Sequence, residues 1–231
     1  MSACTALIVA AGNASRMQGI DKIMAPLGGT PLILRTVQAM AACPHIHEIL
    51  VVTRADLIAP ITELCQDEPK FKRAIVGGAT RAESVLNGLQ AVTTPWVAIQ
   101  DGARPLVSAE IISKAVETAK EKGAAAPAIP VKDTVKVAQE GRVIDTPERS
   151  CLFAVQTPQV FATERILHAL RQGIAQQLPL TDDCSAMEAM GLPVYLTEGS
   201  EENLKITTPM DLLLAEAILE RRSAHENRPR I

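Results

Sequence analysis

The sequence predicts a three-layer α/β fold with a mostly parallel sheet, interrupted once by a protruding β-hairpin. Three observations carry that expectation. Short β-rich runs alternate with segments of helical period over most of the chain. The loops leaving several of those runs are made of small residues and hold isolated cations, as ligand loops at the carboxyl edge of a parallel sheet do. From Lys132 the alternation stops, and two short strands around Glu140-Gly141 replace it.

Taken in order, Thr5–Ala10 is an apolar run of strand length that halts near Gly12. Thr30 as N-cap and Pro31 at the first helical position open a helix. Glu48–Thr53 is the second strand, followed by a helix through Asp56–Gln66. Arg73–Gly78 is the third, ending in two glycines. Thr80 and Glu83 then stand at capping-box spacing before a helix that aligns Ala82, Val85, Leu86 and Leu89. Trp96–Gln100 is the fourth strand and runs into Asp101-Gly-Ala-Arg104-Pro. Ser108 caps a helix with a buried stripe of Ile111, Ile112, Ala115, Val116 and Ala119, and Ala124–Val131 is the fifth strand.

The hairpin brings Val135, Val137, Val143 and Ile144, too few apolar residues to fold alone. An arm over about residues 132–152 must lie on something, and a second copy of the chain is a good candidate. The segment Cys151–Phe161 returns to the core. Helices follow near Thr163–Gln172, Asp182–Met190 and Pro209–Arg222, with a late strand at Asn203–Thr207. Residues 223–231 lack periodicity and read as a frayed tail.

The 231 residues, 47% apolar and 21% charged, suffice for one large core and a single domain. A net charge of −3 argues against a nucleic-acid-binding surface, so an anionic ligand must be met by locally placed cations. Cys4, Cys43, Cys65, Cys151 and Cys184 are odd in number and form no CxxC pair, which favours reduced thiols in a cytoplasmic protein. Cys151 and Cys184 read as packing residues. No signal peptide and no membrane span are expected.

The first loop has the composition of a phosphate cradle. Gly12, Ala14 and Ser15 allow close approach to backbone N–H groups, and Arg16 and Lys22 flank them. GxxxxGK[ST] and GxGxxG are both absent. An Arg fork and a mobile Lys charge together suit a polyphosphate whose charge shifts during reaction. Similar chemistry recurs at other strand ends: Gly78, Arg81 and Ser84 after the third, Asp101 and Arg104 after the fourth, and Lys205 before the last helix. Elsewhere, simpler explanations suffice. His45 and His47 read as solvated loop histidines, Asp182 and Asp183 as first-turn acids favouring a helix dipole, and Met187 and Met190 as core fillers.

Seven ordered stretches, AAGNASRM, GGATRAESVLNGL, WVAIQDGARP, PVKDTVK, QTPQVF, TDDCSAME and EGSEENLKITTPMDL, resemble the 2-C-methyl-D-erythritol 4-phosphate cytidylyltransferase family from roughly Thr5 to Arg222. The resemblance implies a Rossmann-like nucleotidyltransferase fold and transfer of a cytidylyl group from CTP to methylerythritol phosphate, in non-mevalonate isoprenoid biosynthesis, with Mg²⁺ or another divalent cation. Arg16 and Lys22 then match the transition-state cations. Ala10, Ala11, Gly12, Ala14, Gly78, Arg81, Ser84 and Asp101 match nucleotide-binding positions, Asp101 also lying near the metal. Thr134, Arg149 and Lys205 match positions holding the acceptor, the first two supplied by the partner's arm in a homodimer. The loop is one residue shorter than usual before Lys22, and Ala14 and Ala79 replace a customary glycine and acid. Rival assignments are a ribitol 5-phosphate cytidylyltransferase, a sugar-1-phosphate nucleotidylyltransferase and a non-catalytic nucleotide-binding regulator. The Ala10-Ala11-Gly12 opening and the PVKDTVK arm favour the first assignment over the ribitol enzyme.

Overall fold

The computed structural model describes residues 2–12 and 21–226. Apolar runs form the strands, and each crossover helix lays its apolar stripe back on them. β1 (Cys4–Ala10) enters the middle of the sheet, and the two-residue strands β2 (Pro26–Leu27) and β3 (Thr30–Pro31) pair with each other. This pairing corrects the expected cap: Thr30 is committed to Leu27, and α1 (Leu32–Ala41) starts after Pro31 with no side-chain cap. β4 (Ile46–Thr53), a 3₁₀ turn at Ala55–Leu57, α2 (Ile58–Cys65), β5 (Phe71–Val76), α3 (Arg81–Leu89) and β6 (Trp96–Asp101) follow as expected.

α4 (Ala109–Lys122) is capped by Ser108, whose hydroxyl accepts from the Ile111 N–H, and leads into β7 (Ala124–Pro130). The hairpin is β8 (Val137–Gln139) and β9 (Arg142–Asp145), turning on Glu140 and Gly141 at φ of 51° and 79°. Such left-handed backbone is what a tight hairpin turn demands. β10 (Phe153–Val155), β11 (Gln159–Ala162), α5 (Thr163–Ala175), α6 (Asp183–Ala189), β12 (Tyr195–Glu198) and α7 (Pro209–Glu226) complete the order.

β5, β4, β1 and β6 are parallel neighbours. β11 then inserts antiparallel between β6 and β7, β10 pairs antiparallel with β7, and β12 runs parallel to β7. Alternation along β1 sends Ala6, Ile8 and Ala10 to a core shared with α1 and α4, and Leu7 to one shared with α3, α5 and α6. A smaller cluster of Leu27, Leu32, Leu106, Ile206, Ala215 and Ile218 seats α7.

Three further expectations change. Asn203–Thr207 is not a strand: Ile206 N–H reaches Ala103 O at 2.9 Å as an isolated bond, and the late strand is β12. α7 continues through Glu226, beyond the expected end at Arg222. Cys151 is exposed rather than packed, because it lies in a 3₁₀ turn at the foot of the hairpin; the other four cysteines are buried.

Candidate active site

Because β1, β4, β5 and β6 run in one direction, their exit loops gather at one edge. There they enclose a cleft of about 420 Å³. Ala10, Ala11 and Gly12 continue β1 along it, Gly78, Thr80, Arg81 and Ser84 form one wall, and Asp101–Ala103, Lys22, Arg54 and Lys205 close the rest. The wall requires glycine. A Cβ on Gly78 would stand 2.4 Å from that of Glu83, and one on Gly77 would stand 2.5 Å from that of Ala11.

Ser84 braces this wall: only 2% exposed, its hydroxyl accepts from Gly78 N–H at 3.0 Å and donates to Thr80 O at 2.8 Å. Thr80 and Glu83 close the expected capping box over the start of α3.

Asp101 is the one carboxylate among the described residues lining the cleft, and three cations from different segments surround it. Lys205 Nζ lies 2.8 Å from Oδ2, Arg81 Nη2 3.5 Å from Oδ1, and Arg104 Nε 3.7 Å from Oδ2. Burial by itself raises a carboxyl pKa, but Lys205, Arg81 and Arg104 outweigh it and hold Asp101 below its ordinary range. Its backbone N–H donates to Thr157 Oγ1 at 3.0 Å. Arg104, lowered by burial against the pull of Asp101, donates through Nη1 to Asn203 O at 2.6 Å.

Arg81 is more than a strand-end charge. Its guanidinium forks onto Asp183, Nη1 to Oδ1 at 3.0 Å and Nη2 to Oδ2 at 2.8 Å. Burial opposes its charge, yet Asp183 and Asp101 together push its pKa up. Asp183 is the first-turn acid of α6, as expected, but it is also fully buried and paired with Arg81. Asp182 lies one position earlier as the N-cap and accepts from Ser185 N–H at 2.8 Å.

The chain re-enters the described region at Asp21, which accepts from Ile23 N–H at 3.1 Å and pairs with Arg54 at the end of β4. These contacts set Lys22 on the cleft wall. Arg16 and Ala14 lie outside the described residues. Thr134 and Arg149 are exposed and do not line the cleft of their own chain; Arg149 Nη1 donates to Lys132 O at 3.0 Å. His47 is exposed, as expected, although it lies in β4 and its Nδ1 accepts from Cys4 N–H at 3.2 Å; His45 is half-buried and meets Glu117 at 3.2 Å. Among the described residues no cluster of three or more His, Cys, Asp or Glu is arranged to hold a metal.

Sequence reasoning missed Asp21, Arg54, Gln159, Asp183 and Asn203 as supports of the cleft. The arrangement suits neutralising a polyanion, with cations from several segments and one shielded carboxylate, and among the described residues it contains no nucleophile–base relay.

Comparison with known proteins agrees with that chemistry. The family described as 2-C-methyl-D-erythritol 4-phosphate cytidylyltransferase matches residues 4–221. A relative of that name from Symbiobacterium thermophilum is 42% identical over 93% of this chain and 92% of its own. One from Desulforamulus reducens is 43% identical, covering 96% and 98%. Among solved structures, 4-diphosphocytidyl-2C-methyl-D-erythritol synthase from Anaerococcus prevotii superposes with a TM-score of 0.86 at 29% identity, over 95% of this chain and 99% of that one. The 2-C-methyl-D-erythritol 4-phosphate cytidylyltransferase of Thermus thermophilus gives 0.77 at 32% identity, over 93% and 98%.

Proposed function

Because the chain belongs to the 2-C-methyl-D-erythritol 4-phosphate cytidylyltransferase family, we propose that its strand-end cleft is where CTP and 2-C-methyl-D-erythritol 4-phosphate meet. The chain is a nucleotidyltransferase. It transfers the cytidylyl group of CTP to that acceptor, giving 4-diphosphocytidyl-2-C-methyl-D-erythritol and pyrophosphate, in the route to isoprenoid precursors.

The observation that supports the site assignment is the gathering of Arg81, Arg104 and Lys205 around one shielded carboxylate, Asp101, in a cleft that Lys22 also lines. An acceptor phosphate oxygen attacks the α-phosphorus of CTP. A phosphorus–oxygen bond forms to the acceptor as the bond to the pyrophosphate oxygen breaks. The attacking oxygen is already anionic, so no side chain need take a proton. The barrier is repulsion between anions, and fixed cations lower it by positioning and electrostatics. In this proposal Lys22 and Arg16 face the triphosphate, Ala10, Ala11, Gly12, Ala14, Gly78 and Ser84 shape the nucleotide wall, and Lys205 meets the acceptor phosphate.

Magnesium is commonly held by one or two carboxylates together with substrate phosphates, and Asp101 fits that donor set. When bound, such an ion supplies charge neutralisation at phosphate oxygens. A homodimer belongs to the same proposal. Its support is the hairpin, whose Val135, Val137, Val143 and Ile144 are exposed on the isolated chain, together with exposed Met210, Leu213 and Leu214 on one stripe of α7. A partner's arm seated near α7 would carry the partner's Thr134 and the partner's Arg149 toward Lys205, in the segment that leads into that helix. Among the described residues no helix is long and apolar enough to cross a membrane. A cytoplasmic location is likewise proposed, supported by five unpaired cysteines.

The test is pyrophosphate release from CTP and Mg²⁺ with each acceptor. Methylerythritol phosphate is expected to support turnover; activity with ribitol 5-phosphate alone overturns the assignment. Lys22→Ala should lower turnover about 10²–10³-fold, the usual cost of a lost transition-state donor, while leaving the far-UV spectrum unchanged. Near-parental turnover would remove Lys22 from the mechanism.

A further inference from the structure

The Arg81–Asp183 pair joins residues 102 positions apart. Both carboxylate oxygens of the fully buried Asp183 accept from the guanidinium, at 3.0 and 2.8 Å. Asp183 is anchored in turn by Gln159, the first residue of β11. Gln159 Oε1 accepts from the N–H groups of Asp183 at 3.0 Å and Cys184 at 3.1 Å, and its Nε2 donates to Asp182 Oδ2 at 2.7 Å. At the other end of this chain of bonds, Arg81 Nη2 lies 3.5 Å from Asp101 Oδ1.

A buried ion pair is a poor source of net stability, because desolvation consumes most of the Coulomb attraction. Its third contact gives this one a different role. Arg81 is the first residue of α3, directly after the Gly78–Thr80 wall, and it touches the cleft's only described acid. With its fork occupied by Asp183, Arg81 meets Asp101 at Oδ1, while Oδ2 faces Lys205 at 2.8 Å and Arg104 at 3.7 Å. Without Asp183 the same fork would be drawn onto Asp101 Oδ1 or onto an incoming triphosphate, and the Gly78–Thr80 wall that Arg81 follows would shift with it.

We propose that Asp183 and Gln159 are positioning residues for the transfer reaction, acting through Arg81 to fix Asp101 and the Gly78–Thr80 wall where the nucleotide is received. The inference rests on the cleft being the CTP site. It predicts a selective effect: binding of CTP suffers, and binding of the acceptor does not.

Steady-state kinetics of the full chain, varying each substrate separately, provides the test, with melting temperature as the folding readout. Arg81→Lys keeps a charge opposite Asp183 but loses the fork. Asp183→Asn leaves the half-buried guanidinium with Asp101 as its counter-charge, whereas Arg81→Gln with Asp183→Asn replaces the pair by two amides. Gln159→Met deletes the amide at nearly constant volume. In the folded variants KM for CTP should rise about 10-fold, as expected when a small displacement spoils a pre-set geometry, with KM for the acceptor within about twofold. Arg81→Lys decides the matter if the others unfold. An unchanged KM for CTP in folded Arg81→Lys or in the double variant overturns the proposal and makes the pair merely structural. A fall in kcat alone does the same. A parent protein that releases no pyrophosphate from CTP would instead overturn the functional assignment on which the inference rests.

Discussion

Asp101 concentrates the electrostatics of the molecule in one side chain. Only 8% exposed, it keeps its charge because three cations outweigh the cost of burial. Its folded pKa is therefore depressed relative to the unfolded chain. The resulting stabilisation is complete above the unfolded value, near about 4, and is lost as pH falls through the lower folded value. Asp101→Asn should thus cost about 2 kcal/mol at pH 7, the scale of a lost charged hydrogen bond. The difference from the parent should shrink in urea titrations as the pH is taken from 7 to below about 4, the unfolded value, and continue to fall toward the depressed folded value. An equal deficit at both pH values would show that Asp101 is not ionised in the folded protein. The sequence makes Asp101, Arg81 and Lys205 legible, since each follows or precedes a recognisable element. It conceals Asp183: a partner 102 positions away leaves no local signal, and two adjacent acids before a helix look alike. Only the fold separates Asp182 the cap from Asp183 the buried anchor.

At the scale of elements, the caps divide stability from function. Thr80→Ala and Ser108→Ala each remove a side-chain acceptor from a helix start, and each should cost about 1 kcal/mol in urea unfolding. Ser108 opens α4, outside the cleft lining, so its variant should turn over normally. Thr80 stands in the wall and accepts from Glu83 N–H at 3.1 Å, so its variant should also raise KM for CTP. Matching kinetics in the two variants would show that the capping box has no bearing on the wall. Both caps are local signals, which is why they are readable. The late strand is not, because β12 exposes Tyr195 and Leu196 together and lacks an alternating pattern, while Asn203–Thr207 carries one that ends in a single bond to Ala103. Thr30 misleads for the same reason: the short ladder with Leu27 takes the residue that a cap would use.

For the molecule as a whole, the hairpin stands out: β8 and β9 pair with each other outside the main sheet, and every residue of both strands is exposed. If the proposed dimer forms through the arm, Val143→Glu with Ile144→Glu should convert it to monomer in sedimentation and lower turnover at least about 100-fold where Thr134 and Arg149 act across the interface. A fully active monomer would remove the arm from the site. The antiparallel insertion of β11 has another consequence, in the order of synthesis. Val97 and Ile99 on β6 face Phe161 and Gln159 across that ladder, so the neighbour that covers this rim of the sheet is translated long after the rim itself. A nascent chain that has just emerged past Asp101 holds four parallel strands whose β6 border, an interior position in the finished sheet, is bare and adhesive. Until the ribosome delivers β11, that border is exposed to whatever else in the cell presents an unpaired strand.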